Sequence, residues 1–221
     1  MTTETPTRER LDRRRVLETA LQLIDQEGLD TLTMRRLAEE LDVDPMTIHH
    51  HAKGKDGLLD GVAELLWEEI ERPGETHDPA EVLRTLAHSV RDLFHRHPDA
   101  APLVLRCSVL PRSELELWRA YLDGLTAAGL DQPAAVLRSV LTYALGAGYA
   151  EVAWLSVACE PDRKAYTDRE VLLSLGQAIP QGTPPELAAA AVDMIADCDP
   201  DRCFHDGLEL MLAGLSARKA S

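Results

Sequence analysis

Apolar residues recur along almost the whole chain at the three- and four-residue spacings of a helix, and the alternation of a strand is absent. Leu17, Ala20, Leu21 and Ile24 set the first stripe, within residues 11–27, and Gly28 is a natural stop. Thr33 is placed to cap a second helix that runs to Leu41, with Leu37, Ala38 and Leu41 facing inward. After the turn "DVD", Asp44 as N-cap and Pro45 at the first helical position open a short helix that Gly54 interrupts soon after Ala52. Leu58, Leu59, Val62, Leu65 and Leu66 predict a fourth helix from Asp56 to about Glu71, and "ERPGETHDP" behind it is a breaker-rich linker.

Beyond the linker the period stays helical. Leu83, Leu86, Ala87, Val90 and Phe94 form one stripe, ended by His97-Pro98; Leu115, Trp118, Leu122 and Leu125 form another, ended by Gly129. Residues 133–155 are apolar almost all round and contain Gly146 and Gly148, which predicts burial on every side and close approach of another backbone. The stretch 159–185 holds four prolines and reads as a long loop with one short helix at 168–177. Helices at 186–197 and 203–217 close the chain, the second with Phe204, Leu208, Met211, Leu212 and Leu215 on one face. The pattern is all-α, and the linker divides it into a unit of residues 1–72 and a larger one of 73–221.

Charge changes this picture in one respect. The net charge of −15 excludes a protein whose whole surface attracts nucleic acid. Residues 1–56, however, carry nine Lys/Arg against twelve Asp/Glu, and the cations cluster at Arg8, Arg10, Arg13–Arg15, Arg35–Arg36 and Lys53/Lys55. A locally basic face on an acidic body is the result. No apolar run reaches the roughly 20 residues of a membrane span, and residues 1–15 lack a signal-peptide core, so a cytoplasmic location is expected. The four cysteines, at 107, 159, 198 and 203, fit neither a zinc ribbon nor a disulfide framework and read as buried free thiols.

The run His49-His50-His51 invites a metal site. Consecutive helical side chains point about 100° apart, so the three fan out and cannot converge on one ion. With Ile48 and Ala52 inward, Met46 and His50 lie opposite, flanked by Thr47 and His49; such a row suits base edges and phosphates in a major groove. His88, His95 and His97 raise the metal question again, but nearby carboxylates are lacking and solvated or singly paired rings are expected. No catalytic triad, phosphate loop or paired-acid motif is present, so an enzyme is not expected and no cofactor is implied.

The stretch "RRRVLETALQLIDQEGLDTLTMRRLAEELDVDPMTIHHHAKGKDGLLD" resembles the DNA-binding domain of the tetracycline-repressor family over about the first 70 residues. "FHRHPDAAPLVL", "YLDGLTAAGL", "YALGAGYAE" and "FHDGLELMLAGL" resemble that family's C-terminal domain. The resemblance implies a three-helix helix-turn-helix domain joined to a helical bundle that binds an effector and dimerises. It places Arg35, Pro45, Met46, Thr47 and His49 at base-contacting positions, and His50, His51 and Lys55 mostly at phosphates. His49 stands where an aromatic is usual, and Asp42 where a turn glycine is frequent, so the operator sequence is not inherited. Val104 stands where the tetracycline repressors hold magnesium through a histidine; with Leu86, Val90, Trp118, Tyr121, Tyr143 and Trp154 it implies a metal-free apolar pocket, in which Tyr143, His88 or Glu151 would orient the ligand. Function follows as a ligand-released repressor acting as a homodimer on a palindromic operator. The alternatives are an architectural or protein-interaction DNA-binding protein without an effector, and a helical metal-dependent enzyme.

Overall fold

The computed structural model describes residues 11–76, 78–106, 109–158, 179–196 and 199–218, with the side chains of 154–158, 191–196 and 216–218 outside the description. The helices are α1 (Arg13–Glu27), α2 (Met34–Glu40), α3 (Pro45–Ala52), α4 (Gly54–Glu68), α5 (Pro79–Arg96), α6 (Arg112–Ala127), α7 (Pro133–Ala158), α8 (Pro185–Ala196) and α9 (Pro200–Arg218). Single 3-10 turns follow α1 at Leu29–Thr31 and α5 at Ala101–Leu105, and the described residues contain no strand. The predicted helix at 168–177 lies outside the described residues, as do three of the four cysteines; Cys203 is exposed rather than buried.

The first four helices are set by local chemistry. Asp12, Thr33 and Asp44 cap α1, α2 and α3 by accepting from the backbone N–H of Arg15, Arg36 and Met46 at 2.9, 3.0 and 2.8 Å. Asp42 (φ +51°) makes the turn between α2 and α3 in the left-handed region, which Asp tolerates better than most side chains. A second left-handed residue, Lys53 (φ +57°), ends α3, and Gly54 (φ +87°) follows it. Because Lys53 itself makes the reversal, α4 begins at Gly54 and ends at Glu68, earlier at both ends than its apolar spacing predicts.

Helix α4 joins the two parts of the chain, packing on α1 and α3 and also on α6 and the turn at 101–105. In the body α5 lies against α7, α6 and α9, with Leu83, Leu86, Ala87, Val90 and Phe94 all fully buried, as their spacing predicts. Arg91 on α5 reaches Glu151 on α7 (3.0 Å) and Asp201 on α9 (2.6 Å) and lies over the Phe204 ring at 4.8 Å. Burial pulls the Arg91 guanidinium down, but its two carboxylates outweigh that and hold it above its usual range.

Two helices differ from the sequence pattern. The inward face of α6 is Ser113, Glu114, Leu117, Tyr121 and Leu125, while Leu115 is 46% exposed, so the helix is rotated away from the stripe that its leucines mark. Hydrogen bonds from Ser113 to Glu64 (3.1 and 3.0 Å) and from the Tyr121 hydroxyl to the Glu71 carbonyl (2.7 Å) fix that rotation. Helix α7 is not enclosed on every side within one chain: Ala135, Ser139, Thr142, Gly146 and Tyr149 are exposed. Gly148 is approached closely, but by the Phe94 side chain rather than by backbone; a Cβ there would lie 2.7 Å from Phe94 Cδ2.

Gly61 is the close contact between α4 and α1, where a Cβ would lie 2.5 Å from Leu17 Cδ2 and 2.9 Å from Arg13 Nη2. Replacing a helical Gly with Ala ordinarily adds up to about 1 kcal/mol of stability. Here Gly61→Ala should instead cost about 1–3 kcal/mol through overpacking, read as a lower urea midpoint at an unchanged slope.

Candidate nucleic-acid interface and ligand-binding region

An eight-residue helix buries little of its own surface, and α3 is held by two side chains, Ile48 and Ala52, both fully buried. Pro45, Met46 (73% exposed), His49 and His50 point outward, with Thr47 and His51 half-buried beside them. The three histidines fan out as their spacing requires, with His50 and His51 meeting edge to face at 5.7 Å. Among the described residues no group of three or more His, Cys, Asp or Glu side chains is placed to hold a metal ion.

The basic cluster of the sequence divides into braces and outward cations. Arg36 bonds Glu27 on α1 (2.6 Å) and Glu40 (2.8 Å), which hold it above its usual range. Arg13 donates to the carbonyl of His51 at 3.0 Å, on the last turn of α3, where the helix dipole favours a cation. Arg14 is held by Glu18 and Glu68. By contrast Arg35 has a side chain 84% exposed and meets only its own helix, at Glu39 (2.9 Å). A surface pair of that kind is worth about 0–1 kcal/mol. Lys53 and Lys55 are exposed at the α3–α4 joint, while Arg8 and Arg10 lie outside the described residues.

In the body, Leu86, Val90, Val104 and Tyr121 are buried and Trp118 is half-buried; the side chain of Trp154 lies outside the described ones. The polar groups that sequence nominated to orient a ligand are occupied. Tyr143 stacks on Phe204 and donates to the Phe204 carbonyl at 2.8 Å, Glu151 serves Arg91 and His95, and exposed His88 meets the Phe204 ring edge-on.

Carboxylates do stand beside the outlying histidines, contrary to the sequence expectation. His95 meets Glu151 at 2.6 Å, and His97 lies between Asp25 on α1 (2.8 Å) and Glu69 just after α4 (3.1 Å), with Arg96 also on Glu69. These partners are 28 to 72 residues away in sequence, so only the fold brings them together. Burial raises the Asp25 carboxyl above its usual range, against the pull of its His97 hydrogen bond.

Glu114 is the residue that sequence reasoning missed. It is 8% exposed, and burial pushes its carboxyl up to about 6. Its signal was available, since Glu114 shares a helical stripe with Leu117, Tyr121 and Leu125, but the leucines at 115 and 122 mark a different face.

Comparison with known proteins places both regions in context. Residues 16–62 match the family "Bacterial regulatory proteins, tetR family", and residues 73–219 match "Tetracyclin repressor-like, C-terminal domain". The repressor DrrR1 of Streptomyces coeruleorubidus is 29% identical over 216 residues, covering 91% of this chain and 76% of its own length. The class A tetracycline repressor from transposon 1721, Escherichia coli, is 29% identical over 210 residues, covering 92% and 90%. Among solved structures, ActR of Streptomyces coelicolor in complex with actinorhodin superposes with a TM-score of 0.74 at 27% identity, over 96% of this chain and 100% of that one.

A raised carboxyl means that the folded state holds the Glu114 proton longer than the unfolded chain does. Its contribution is fully present below the unfolded value, near 4.3, and is lost as pH rises through about 6. Relative to the parent, Glu114→Gln should therefore gain about 1 kcal/mol of unfolding free energy between pH 4 and pH 7, less than the full shift because the carboxyl still meets solvent. Paired urea titrations across that range measure the difference.

Proposed function

The chain belongs to the tetracycline-repressor (TetR) family, and on that premise we propose that it represses transcription in the cytoplasm as a homodimer on a palindromic operator and is released by a small, largely apolar effector. Membership makes it a DNA-binding, ligand-responsive regulator rather than an enzyme. Among the described residues no helix is long and apolar enough to cross a membrane. Residues 1–72 form the DNA-binding unit and 73–221 the effector and dimerisation unit, a division supported by the two family matches on either side of the linker.

The observation that carries this function is α3: a short helix clamped by Ile48 and Ala52, with its opposite face presented to solvent. Arg35, Pro45, Met46, Thr47 and His49 meet base edges, and His50, His51 and Lys55 meet phosphate. Thr47→Ala and His49→Ala should then change operator preference, each lost base contact costing about 1–3 kcal/mol on the operator alone. Lys55→Ala should weaken operator and random DNA alike and lower the log–log salt slope by about 0.9. Gel-shift titrations on DNA flanking the gene, with random DNA as control, measure both; equal losses on both DNAs for all three variants contradict the assignment. Adding small aromatic molecules to the same titration tests release. By linkage, an effector that lowers DNA affinity binds the DNA complex more weakly than the free protein by the same factor.

The second copy docks on the open side of α7 and α9. Ala135, Ser139, Val140, Met211 and Gly214 line a groove of about 340 Å³ between these helices, and Leu210 beside it is 78% exposed. Small residues let helices approach closely, and a two-fold axis here pairs α7 and α9 with their copies in a four-helix interface. Two recognition helices are then set about one DNA turn apart, roughly 34–36 Å. Among the described residues no other element lies within 4 Å of a Cβ at Gly146, so Gly146→Arg should fold normally yet sediment as a monomer and lose operator binding.

A further inference from the structure

His97 closes the end of α5 with both of its ring nitrogens engaged. Nδ1 lies 2.8 Å from an Asp25 carboxylate oxygen and Nε2 lies 3.1 Å from one of Glu69, and the side chain is 14% exposed. Its backbone is fixed as well, because the His97 carbonyl accepts from the N–H groups of Ala100 and Ala101 at 3.1 and 2.7 Å. A neutral imidazole has one N–H, so it donates to only one of two carboxylates. Both bonds at once need a second proton, held either by the ring or by Asp25, whose carboxyl burial raises. That proton belongs to the pair rather than to one residue.

The surrounding charges make the same demand. Asp25 on α1, Glu69 just after α4 and Asp99 in the turn after α5 are the carboxylates of this cluster, and Arg96 bonds Glu69. Removing the second proton breaks one of the two bonds to the ring and leaves three carboxylates facing Arg96. Asp25 and Glu69 then repel each other across a neutral ring, and the contact between α1 and the end of α5 opens.

What that contact steadies is α3. Asp25 sits in the last turn of α1, and Glu69 ends α4. The other ends of the same two helices hold α3: Arg13 in the first turn of α1 donates to the His51 carbonyl, and α4 starts at the Lys53–Gly54 joint. Each helix has 15 residues, a rod about 22 Å long, so a tilt at one end moves the other. We propose that His97 is a positioning residue for operator binding: holding its second proton, the His97–Asp25 pair fixes α1 and α4 against the end of α5, and loss of that proton lets α3 tilt and weakens the operator complex. The sign follows from preorganisation, since a dimer that must set two α3 helices one DNA turn apart loses affinity when either is free to tilt. Histidine changes charge between about pH 5 and 8, so operator affinity falls as pH rises through that range. This deepens the proposed function and rests on it, since it takes α3 as the helix that reads the operator.

Gel shifts of the full-length protein on the DNA flanking the gene, with random DNA as control, test this from about pH 6 to about pH 8.5 at constant salt. Protonation of His49–His51 on α3 strengthens binding to both DNAs in acid, so the ratio of operator to random affinity is the readout. In the parent that ratio should fall about five- to ten-fold over the range. His97→Gln should start low and stay flat. His97→Arg, permanently charged and able to meet both carboxylates, should hold the ratio within about two-fold of the parent's acid value at every pH. Equal profiles for the parent and His97→Gln, or a His97→Arg variant that follows His97→Gln, overturn the positioning role. NMR of the ring nitrogens in isotope-labelled parent protein needs no substitution: the His97 signals should titrate across the same range, and signals that stay constant overturn the proton dependence whatever the variants do. If the parent shows no preference for the flanking DNA at any pH, the repressor function itself fails; if it binds with a constant ratio, only the role of His97 fails.

Discussion

An eight-residue helix is not stable by itself in water, and the outer face that the first four helices present depends on how α3 is held. Two left-handed residues, Asp42 and Lys53, fix its ends, and two buried side chains, Ile48 and Ala52, fix its depth. The Asp44 side chain at its start and the Arg13 guanidinium at its end satisfy backbone groups that α3 cannot satisfy internally, and Pro45 lacks an N–H to be satisfied. These constraints leave its outer face free of structural duty. Helix α4 leaves the second joint directly, so the direction of α3 and the entry into the body are set at the same two residues, Lys53 and Gly54.

The same economy explains how an acidic protein presents a cationic face. Carboxylates on α1, α2 and α4 hold Arg14 and Arg36, which thereby join helices. Arg35, Lys53 and Lys55 are left outward beside α3. Local potential then depends on which cations are tied down more than on their number, and the acidic body opposes binding in any other orientation. His97 adds a long-range link: with one ring nitrogen on Asp25 of α1 and the other on Glu69, it ties the end of α5 to α1.

Much of this was legible in the sequence. Leu17, Ala20, Leu21 and Ile24 are buried on α1, Leu83 to Phe94 on α5, and Phe204, Leu208 and Leu212 on α9, because a single apolar stripe at helical period has one low-energy orientation. The caps at Thr33 and Asp44, the stop at Gly28 and the outward fan of His49–His51 are equally local. Helix α6 was misjudged because it has two candidate faces. Leu115, Trp118 and Leu122 compete with Leu117 and Tyr121, Leu125 being buried on either reading, and the choice is made by Glu64 and Glu71, about 50 residues away.

Helix type, the caps at Thr33 and Asp44 and the short helix α3 were thus determined by the sequence itself, since caps, stops and period act within a few residues. Tertiary structure decided which polar groups are spent and which are left over. The pairing of Arg91 with Glu151 and Asp201, of His97 with Asp25 and Glu69, and of Tyr143 with the Phe204 carbonyl joins residues 28 to 110 positions apart. Those pairings occupy the polar groups that the sequence nominates for ligand binding and leave the Trp67 and Trp118 indole N–H groups without an acceptor among the described residues. Whether a buried polar atom is satisfied depends on what the fold places within about 3 Å of it, and no local pattern encodes that distance.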